Sequence, residues 1–259
     1  MKHIFAVSAY KDSPYLEACI RSLLLQSVPS EILIATSTPS EYISSIAEKY
    51  SIPLLIREGN PGIAEDWNFA YDHADADLVT IAHQDDMYAK TYTENLLKAK
   101  KRYPDMSVFT SASITVKEGS LKKLGEVEFV KRVLRLPLSL PFFNHLRLIK
   151  RLSICLGNPI ICPSCAYDKR LCGKSIFSSA YSFVLDWELL LRLAEKKGRW
   201  ICVEKPLILY RVHPEAATKQ SIINRTRQEE ESAMFDRLLP LPLAMLVKLL
   251  YRRSYGAYS

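Results

Sequence analysis

Residues 1–115 alternate short apolar runs with amphipathic segments, and this alternation is what most restricts the fold. The runs His3–Ser8, Glu31–Thr36 and Leu78–Ala82 have the length and composition of buried strands. Between the first two, Pro14–Leu25 carries apolar side chains at helical spacing, with Ser13 as its predicted N-cap. Alternating strands and helices form βαβ units with right-handed crossovers, so the sequence predicts an α/β fold with a mostly parallel sheet.

The same patterns predict the remaining elements. Further helices are predicted at Ser40–Tyr50, Ile63–His73, Thr91–Tyr103, Asp186–Lys197 and Ser221–Leu239. Further strands are predicted at Pro53–Arg57, Ser107–Thr115, Trp200–Val203 and Ile208–Arg211. The segment Lys117–Glu128 is predicted to form a hairpin or a surface loop.

The charge of the chain is divided unevenly along its length. Residues 1–115 hold 10 Lys/Arg against 15 Asp/Glu, a net charge of −5, whereas residues 116–259 carry +12. No acidic residue occurs between Phe129 and Tyr167, where lysines and arginines alternate with Leu, Ile and Phe. This asymmetry predicts two halves with different partners, the basic one suited to nucleic acid, anionic lipid or a phosphorylated ligand.

Two features of the sequence argue against a membrane-spanning or secreted protein and against a structural zinc site. The longest uncharged runs are short and broken by prolines, and no cleavage site follows the apolar stretch Ile4–Tyr10, so we expect a cytoplasmic protein without a membrane span. Cys155, Cys162, Cys165 and Cys172 form a C-x6-C-x2-C-x6-C array, which has only one close pair where structural zinc sites have two. We therefore expect these cysteines to be core residues rather than metal ligands.

Polar loops follow the predicted strands, and the loop after Leu78–Ala82 contains the most side chains that can ionise or bind a metal. His83, Gln84, Asp85 and Asp86 follow this buried strand directly. Ligands collect at the carboxyl ends of parallel strands. Adjacent carboxylates repel each other unless a cation lies between them, and a divalent ion that also binds substrate phosphates meets this need. The alternative is that one of the two carboxylates caps the following helix.

Five segments of the chain match a known family in order and spacing. They are His3–Asp12 with Tyr15 and Leu16, Asn60–Asn68, His83–Asp86, Leu185–Leu193 and Tyr210–His213. Over most of residues 2–219 the chain resembles the family 2 inverting glycosyltransferases, which have the GT-A fold, a Rossmann-like sheet flanked by helices. The resemblance implies that a sugar is moved from a nucleotide diphosphate to an acceptor hydroxyl with inversion.

The resemblance also implies the parts played by individual residues. His83–Asp86 falls where the family has its metal-binding D-x-D signature, and Asp186 falls where it has the catalytic base, with Glu188 as an alternative base. The implied cofactor is Mn²⁺ or Mg²⁺, with Asp85, Asp86 and His213 as candidate ligands. The implied donor-binding residues are Ser8, Ala9, Tyr10, Asp12, Asn60, Gly62, Asn68, His83, Arg211 and Lys219.

Several of these residues have a purely structural alternative. Asp186 precedes a predicted helix and fits an N-cap, and a single histidine such as His213 is more often structural than catalytic. Arg211 and Lys219 fit solvated surface charges as well as diphosphate ligands.

The chain departs from the family pattern at two places. The family often has an aspartate at the end of the second strand that contacts the nucleoside, whereas Thr36–Ser40 has none. Recognition of the base must therefore rest on other groups. His83 replaces the first aspartate of the metal signature, which removes one negative charge from the site.

The resemblance suggests a division into a nucleotide-sugar half at 1–115, an acceptor half at 116–219 and a basic helical extension at 220–259. Phe129–Leu152 and Leu241–Arg253 mix cations with large apolar residues, as interfacial segments do. We therefore expect a UDP- or dTDP-sugar donor, a glycan or lipid-linked acceptor of surface polysaccharide assembly, and peripheral contact with the inner face of the membrane. An oligomer interface is the alternative for these segments.

Two other functions remain open at this point. A nucleotidyltransferase that acts on a sugar phosphate also combines an α/β sheet with a metal held by carboxylates. A nucleic-acid-binding protein agrees with the calculated pI of 9.0, but the sequence has no recognisable reading motif, so we expect no nucleic-acid partner.

Overall fold

The computed structural model describes residues 1–117, 120–121, 126–213 and 226–251. The strands are β1 (His3–Ala9), β2 (Glu31–Thr36), β3 (Leu54–Ile56), β4 (Leu78–His83), β5 (Met87–Tyr88), β6 (Met106–Lys117), β7 (Ser120–Leu121), β8 (Ala166–Asp168) and β9 (Arg199–Val212). The helices are α1 (Leu16–Leu24), α2 (Glu41–Lys49), α3 (Ile63–His73), α4 (Tyr92–Arg102), α5 (Glu126–Ser139), α6 (Arg147–Cys155), α7 (Lys169–Cys172), α8 (Leu185–Glu195), α9 (Thr226–Leu238) and α10 (Leu241–Tyr251). A short 3₁₀ turn spans Cys162–Ser164.

The strands form one sheet in the order β3-β2-β1-β4-β8-β6-β9-β5, with β7 paired to β6. The first four strands in this order are parallel to one another, as the βαβ pattern predicts, and β6 and β9 are also parallel. The strand β8 runs antiparallel to both its neighbours, β4 and β6. The predicted α/β fold is confirmed, but the sheet is mixed rather than mostly parallel.

Two apolar cores lie on the opposite faces of the sheet, because successive side chains of a strand point to opposite sides. In β1, Phe5 and Val7 pack with α1, α2 and α4, whereas Ile4 and Ala6 pack with α3 and α8. Both faces of the central strands are therefore buried, which explains why these strands are almost continuously apolar in the sequence.

Three local predictions need correction or completion. The first helix begins at Leu16, and Ser13 does not cap it; its hydroxyl instead donates to Asp85. The two strands predicted near Trp200 and Ile208 are one strand, β9, whose pairing with β6 shifts register around Pro206. In the segment predicted as a hairpin or a loop, β6 and β7 pair as a hairpin, with Lys117 opposite Ser120.

The C-terminal helices α9 and α10 pack into the apolar core on the face of the sheet that also carries α3 and α8. The rings of Phe235 and Trp187 meet edge to face with their centroids 5.2 Å apart, and Met234 is fully buried. No helix in the described ranges combines the length and the apolar character needed to cross a bilayer.

Candidate functional site

A cavity of about 1170 Å³ opens at the carboxyl ends of β1 and β4 and is bounded by α8 and the end of β9. Ser8 of β1 lies opposite His83 of β4 in the parallel register, so the loops after these strands emerge side by side. Ten of the predicted site residues line the cavity: Ser8, Tyr10, Asp12, Gly62, His83, Asp85, Asp86, Asp186, Arg211 and His213. The sheet thus brings together residues that lie more than 200 positions apart in the sequence.

Asp85 and His213 meet inside this cavity. The Nε2 atom of His213 lies 3.2 Å from Oδ2 of Asp85, and the other carboxylate oxygen, Oδ1, accepts a hydrogen bond of 2.9 Å from Ser13. Nε2 of His213 is buried and makes no hydrogen bond within the described part of the chain. The ring is held against Tyr15 at a centroid distance of 4.9 Å.

This pair fits a divalent cation. A carboxylate oxygen and an imidazole nitrogen, close together without a hydrogen bond between them, form a donor set that Mn²⁺ accepts. Such ions are commonly held in proteins by one or two side chains together with substrate phosphates and water. Among the described residues no group of three or more His, Cys, Asp or Glu side chains converges as a metal site.

Arg211 fixes the end of β9 against the acidic loop. Its Nε donates to the backbone oxygen of Asp85 at 3.0 Å, and its guanidinium stacks on Tyr15 at 4.3 Å. Its backbone N–H donates to Oδ1 of Asp86 at 2.8 Å. Arg211 therefore holds the acidic loop in place and lines the cavity at the same time.

Asp86 is more deeply buried than its neighbour Asp85. Only 2% of the residue is exposed, and burial raises the pKa of its carboxyl well above the usual value. Because one oxygen accepts from the backbone of β9, this side chain joins the acidic loop to that strand. Of the two carboxylates, Asp85 is the better metal candidate.

His83 forms a stack with a residue that the sequence did not single out. Its ring lies 4.9 Å from that of Trp67 with an interplanar angle of 28°. Burial lowers the pKa of His83 to about 4, so the imidazole is neutral at physiological pH. Its Nε2 atom is buried and has no hydrogen-bond partner in the described ranges.

The loop after β1 is braced by side chains from neighbouring loops. The amide of Gln84 accepts from the backbone N–H of Tyr10 and donates to its carbonyl oxygen, both at 2.9 Å. The hydroxyl of Ser40 donates to Asp12. These bonds hold the backbone of residues 10–12 at the rim of the cavity while leaving the ring of Tyr10 exposed.

Asp186 lies in the first turn of α8 and faces the cavity. Oδ2 accepts a hydrogen bond of 3.0 Å from Asn158, and Oδ1 accepts one of 2.8 Å from the backbone N–H of Trp187. The N-cap position belongs to Val184, so Asp186 is not the helix cap that the sequence allowed as an alternative. Burial raises the pKa of Asp186 to about 6, a value suited to a group that takes up a proton near neutral pH.

The alternative base, Glu188, points elsewhere. Both of its carboxylate oxygens accept from Nε of Arg192, at 2.8 and 2.9 Å, and it does not line the cavity. Of these two carboxylates, Asp186 lines the cavity and Glu188 does not.

Four predicted donor-binding residues are not placed in the cavity. Ala9 is a buried strand residue, and the backbone oxygen of Asn60 accepts a hydrogen bond from Arg57. The amide of Asn68 pairs with the backbone of Phe177, donating at 2.7 Å and accepting at 2.8 Å, so it joins α3 to the loop before α8. Lys219 lies outside the described residues.

The helix α9 supports the segment just before α8, the helix that carries Asp186. The carboxylate of Glu230 accepts backbone hydrogen bonds from Ser182, Phe183 and Val184 at 2.7 to 3.0 Å. Burial alone would raise its pKa, but these bonds together outweigh burial and lower it. Arg227 and Glu231 of the same helix line the cavity. These contacts are long-range, and the polar composition of the helix gave no sign of them.

The cysteines of the array are free thiols. Cys162, Cys165 and Cys172 are buried, and burial raises the pKa of each thiol, so they are in the protonated, unreactive form.

Solved structures share this fold along nearly the whole chain. The structure of S. aureus TarS 1-349 in complex with UDP-GlcNAc has a TM-score of 0.63 at 14% identity, covering 100% of this chain and 74% of that one. A mannosyltransferase, PcManGT from Pyrobaculum calidifontis, in complex with GDP-Man and Mn²⁺, has a TM-score of 0.64 at 16% identity, with coverages of 96% and 68%.

A third solved structure is similar to this chain in fold. Glucosyl-3-phosphoglycerate synthase from Mycobacterium tuberculosis, in complex with Mn²⁺ and UDP-glucose, has a TM-score of 0.60 at 16% identity, with coverages of 92% and 80%. No curated protein matches the sequence. At these identities the likeness establishes the fold.

The model of the family described as Glycosyl transferase family 2 matches residues 5–170, more than half of the chain, and the chain therefore belongs to this family.

Proposed function

We propose that the protein transfers a sugar from a nucleoside-diphosphate sugar to an acceptor hydroxyl with inversion at the anomeric carbon. The observation that carries this proposal is that one cavity contains both the Asp85–His213 pair and the carboxylate of Asp186. The Asp85–His213 pair suits a metal ion that binds the diphosphate, and Asp186 suits a base that takes the proton of the acceptor. Membership of the family and the nucleotide sugars bound by the solved relatives TarS, PcManGT and glucosyl-3-phosphoglycerate synthase support it.

The two groups have separate tasks in an inverting displacement. The acceptor oxygen attacks the anomeric carbon from the side opposite the diphosphate, the bond from that carbon to the phosphate oxygen breaks, and Asp186 takes the hydroxyl proton. General-base assistance of this kind contributes roughly 10²–10⁴-fold to a rate. Asn158 orients the carboxylate through its bond to Oδ2, and Glu230 fixes the preceding backbone.

Asp85 and His213 would hold the divalent cation, Mn²⁺ or Mg²⁺. When bound, such an ion neutralises the charge that develops on the leaving diphosphate. Asp85 is kept in position by Ser13 and by the bond from Arg211 to its backbone oxygen. Mn²⁺ in the structures of two relatives supports a divalent ion here.

A thermal-shift experiment tests the donor part of this proposal. We expect UDP, dTDP or GDP to raise the unfolding temperature in the presence of Mn²⁺ and to do so less in its absence. A hundredfold excess over Kd adds roughly 2.7 kcal/mol to the free energy of unfolding. Stabilisation by single-stranded DNA alone, with no nucleotide effect, would contradict the proposal.

We further propose that the acceptor is carried on a lipid and that the protein docks on the inner face of the bacterial membrane during surface polysaccharide or glycan assembly. An exposed apolar surface supports this. On α5, α6 and their connection the exposed residues are Phe129, Val130, Val133, Leu136, Leu140, Phe142, Phe143, Leu146, Leu148, Leu152 and Leu156. On α10 they are Leu241, Leu243, Met245, Leu246, Leu249 and Leu250.

This surface has the charge that an anionic bilayer attracts. Arg132 and Arg147 are mostly exposed, and no acid occurs between Phe129 and Tyr167. The ring of Tyr251 at the end of α10 packs against Gly157, just after α6, so the two helices meet there. Since Tyr251 and Lys131 of α5 both line the cavity, the apolar surface borders the entrance through which an acceptor would arrive.

Replacing both Phe142 and Leu148 by serine should weaken binding to vesicles containing phosphatidylserine by roughly 100-fold or more, because each buried side chain of this size contributes about 1.5–3 kcal/mol. These residues are 82% and 65% exposed, so the fold should tolerate the change. Co-sedimentation measures the binding, and Leu25→Ser, at a site 66% exposed near α1, is the matched control. A parent protein that is dimeric in solution and does not bind these vesicles would contradict the proposal in favour of an oligomer interface.

A further inference from the structure

A carboxylate from α3 lies beside the end of β2, although residues Thr36–Ser40, which follow that strand in the sequence, include no acid. Asp66 of α3 lines the cavity, and its side chain is only 12% exposed. Its Oδ2 atom accepts a hydrogen bond of 2.8 Å from Ser37, which directly follows β2, and its Oδ1 atom accepts one of 2.6 Å from Nε of Arg57, which follows β3. The carboxylate therefore takes its position from both strands at this edge of the sheet.

Arg57 is itself held in a fixed orientation. Its terminal nitrogens donate to the backbone oxygens of Glu58 and Asn60, and its side chain is mostly buried. A guanidinium has five N–H groups in one plane, so these bonds fix the plane in which it meets Asp66. A carboxylate fixed from both sides in this way is preorganised to accept a further hydrogen bond from a ligand.

The order of the strands indicates which part of a donor reaches Asp66. Asp85 follows β4, and Asp186 lies on the β8 side of it, close enough to Cys162 in the 3₁₀ turn before β8 that its charge, together with burial, raises the pKa of that thiol. A donor whose diphosphate lies at Asp85 and whose sugar points toward Asp186 extends its nucleoside the other way. That direction leads past β1 to β2 and β3, where Tyr10, Gly62 and Asp66 line the cavity.

We propose that Asp66, oriented by Ser37 and Arg57, recognises the nucleobase of the donor and selects bases with a ring N–H on the pairing edge. These bases are uracil, thymine and guanine. A carboxylate only accepts hydrogen bonds, and the corresponding ring nitrogens of cytosine and adenine also only accept, so these two bases would place lone pairs against it. This inference rests on the proposed function.

The test compares the affinities for UDP and CDP, which differ at the base alone, in the presence of Mn²⁺. We expect the parent protein to bind UDP about 5- to 150-fold more tightly, since a well-placed pair of this kind discriminates by roughly 1–3 kcal/mol. In Asp66→Asn the preference should fall to near unity, because the amide can donate to the ring nitrogen of cytosine. Isothermal titration calorimetry measures both constants.

The matched control is Asp72→Asn, on the same helix, where the carboxylate binds Ser175 instead. It should keep the preference of the parent. An unchanged ratio of UDP to CDP affinity in Asp66→Asn would overturn the inference, as would an equal loss of both affinities, which a purely structural carboxylate would give.

Ser37→Ala keeps the inference testable if Asp66→Asn does not fold. It removes one orienting bond, and we expect it to weaken UDP binding severalfold without a change in CDP binding; an equal effect on both would overturn the inference. A parent protein that prefers CDP or ADP would also overturn it while leaving the proposed function intact. Failure to bind any of UDP, dTDP, GDP, CDP and ADP would instead count against the proposed function itself.

Discussion

Asp186→Asn is expected to lower the rate of sugar transfer by roughly 10²–10⁴-fold while leaving donor affinity close to that of the parent protein. The substitution keeps the size of the side chain and its ability to accept from Trp187, so the first turn of α8 should keep its geometry. It removes the capacity to take a proton, together with the oxygen that accepts from Asn158. Steady-state kinetics should therefore show a loss in kcat, and calorimetry should show unchanged binding of the nucleotide.

The pH dependence of the parent protein follows from the same carboxyl group. Its pKa of about 6 in the folded protein means that the basic, deprotonated form is lost below that pH. Transfer should fall about tenfold for each pH unit below 6, and this limb should be absent in Asp186→Asn. Since the pKa is about 3.9 in an unfolded chain, the ionised group costs the fold stability once the pH has risen through 4 to 6. Asp186→Asn removes this cost at pH 7.5 and loses the hydrogen bond from Asn158, so its stability should be close to that of the parent.

Glu188→Gln is the matched control for this experiment. It lies two residues away in the same helix and breaks the contact with Arg192, which is partly exposed, so we expect a modest loss of stability and a normal rate per folded molecule. If Asp186→Asn transfers sugar at the parent rate, or if Glu188→Gln shows the larger loss, the assignment of the base is wrong.

Asp85→Asn is expected to weaken the Mn²⁺-dependent part of nucleotide binding by roughly 100-fold or more. Even changes to residues that only orient metal ligands cost 10- to 100-fold in metal affinity, and this change removes a carboxylate from the site itself. The amide can still accept from Ser13, so the loop should remain folded. In the thermal-shift experiment, the additional stabilisation produced by Mn²⁺ with UDP should disappear.

Asp105→Asn serves as the charge-matched control, because Asp105 precedes β6 and pairs with Arg199 away from the cavity. It should retain the full effect of Mn²⁺. A normal Mn²⁺ effect in Asp85→Asn would show that the ion is held by other groups, Asp86 first among them.

The parts of the fold that the sequence predicted are those with local causes. The strands β1, β2 and β4 are buried on both faces and therefore read as apolar runs, and α3 was predicted with its observed bounds because its apolar spacing and the preceding loop agree. The antiparallel β8 was missed, because it has only three residues between a 3₁₀ turn and a short helix. Pairing of so short a strand depends on tertiary contacts rather than on its own composition.

The candidate site also combines residues that local motifs predicted with residues whose contacts are distant in the sequence. Asp85 and Asp186 could be predicted because each lies within a short segment that resembles a motif of the family. Asp66 and Glu230 were not singled out, because Ser37 lies 29 residues from Asp66 and the partners of Glu230 lie 46 to 48 residues away, at positions that no periodicity connects. The assignment of Asn68 to donor binding did not anticipate that its amide pairs with Phe177, a contact across 109 positions.

The most direct test of the proposed transfer is an analysis of its products. The protein would be incubated with Mn²⁺ and a panel of UDP-, dTDP- and GDP-sugars, and ³¹P and ¹H NMR would follow the phosphates and the anomeric proton of the sugar. We predict that one of these donors yields the free nucleoside diphosphate and a sugar product that first forms with the opposite anomeric configuration. Retention of configuration would contradict the inverting mechanism, and pyrophosphate formed from a nucleoside triphosphate and a sugar phosphate would identify a nucleotidyltransferase instead.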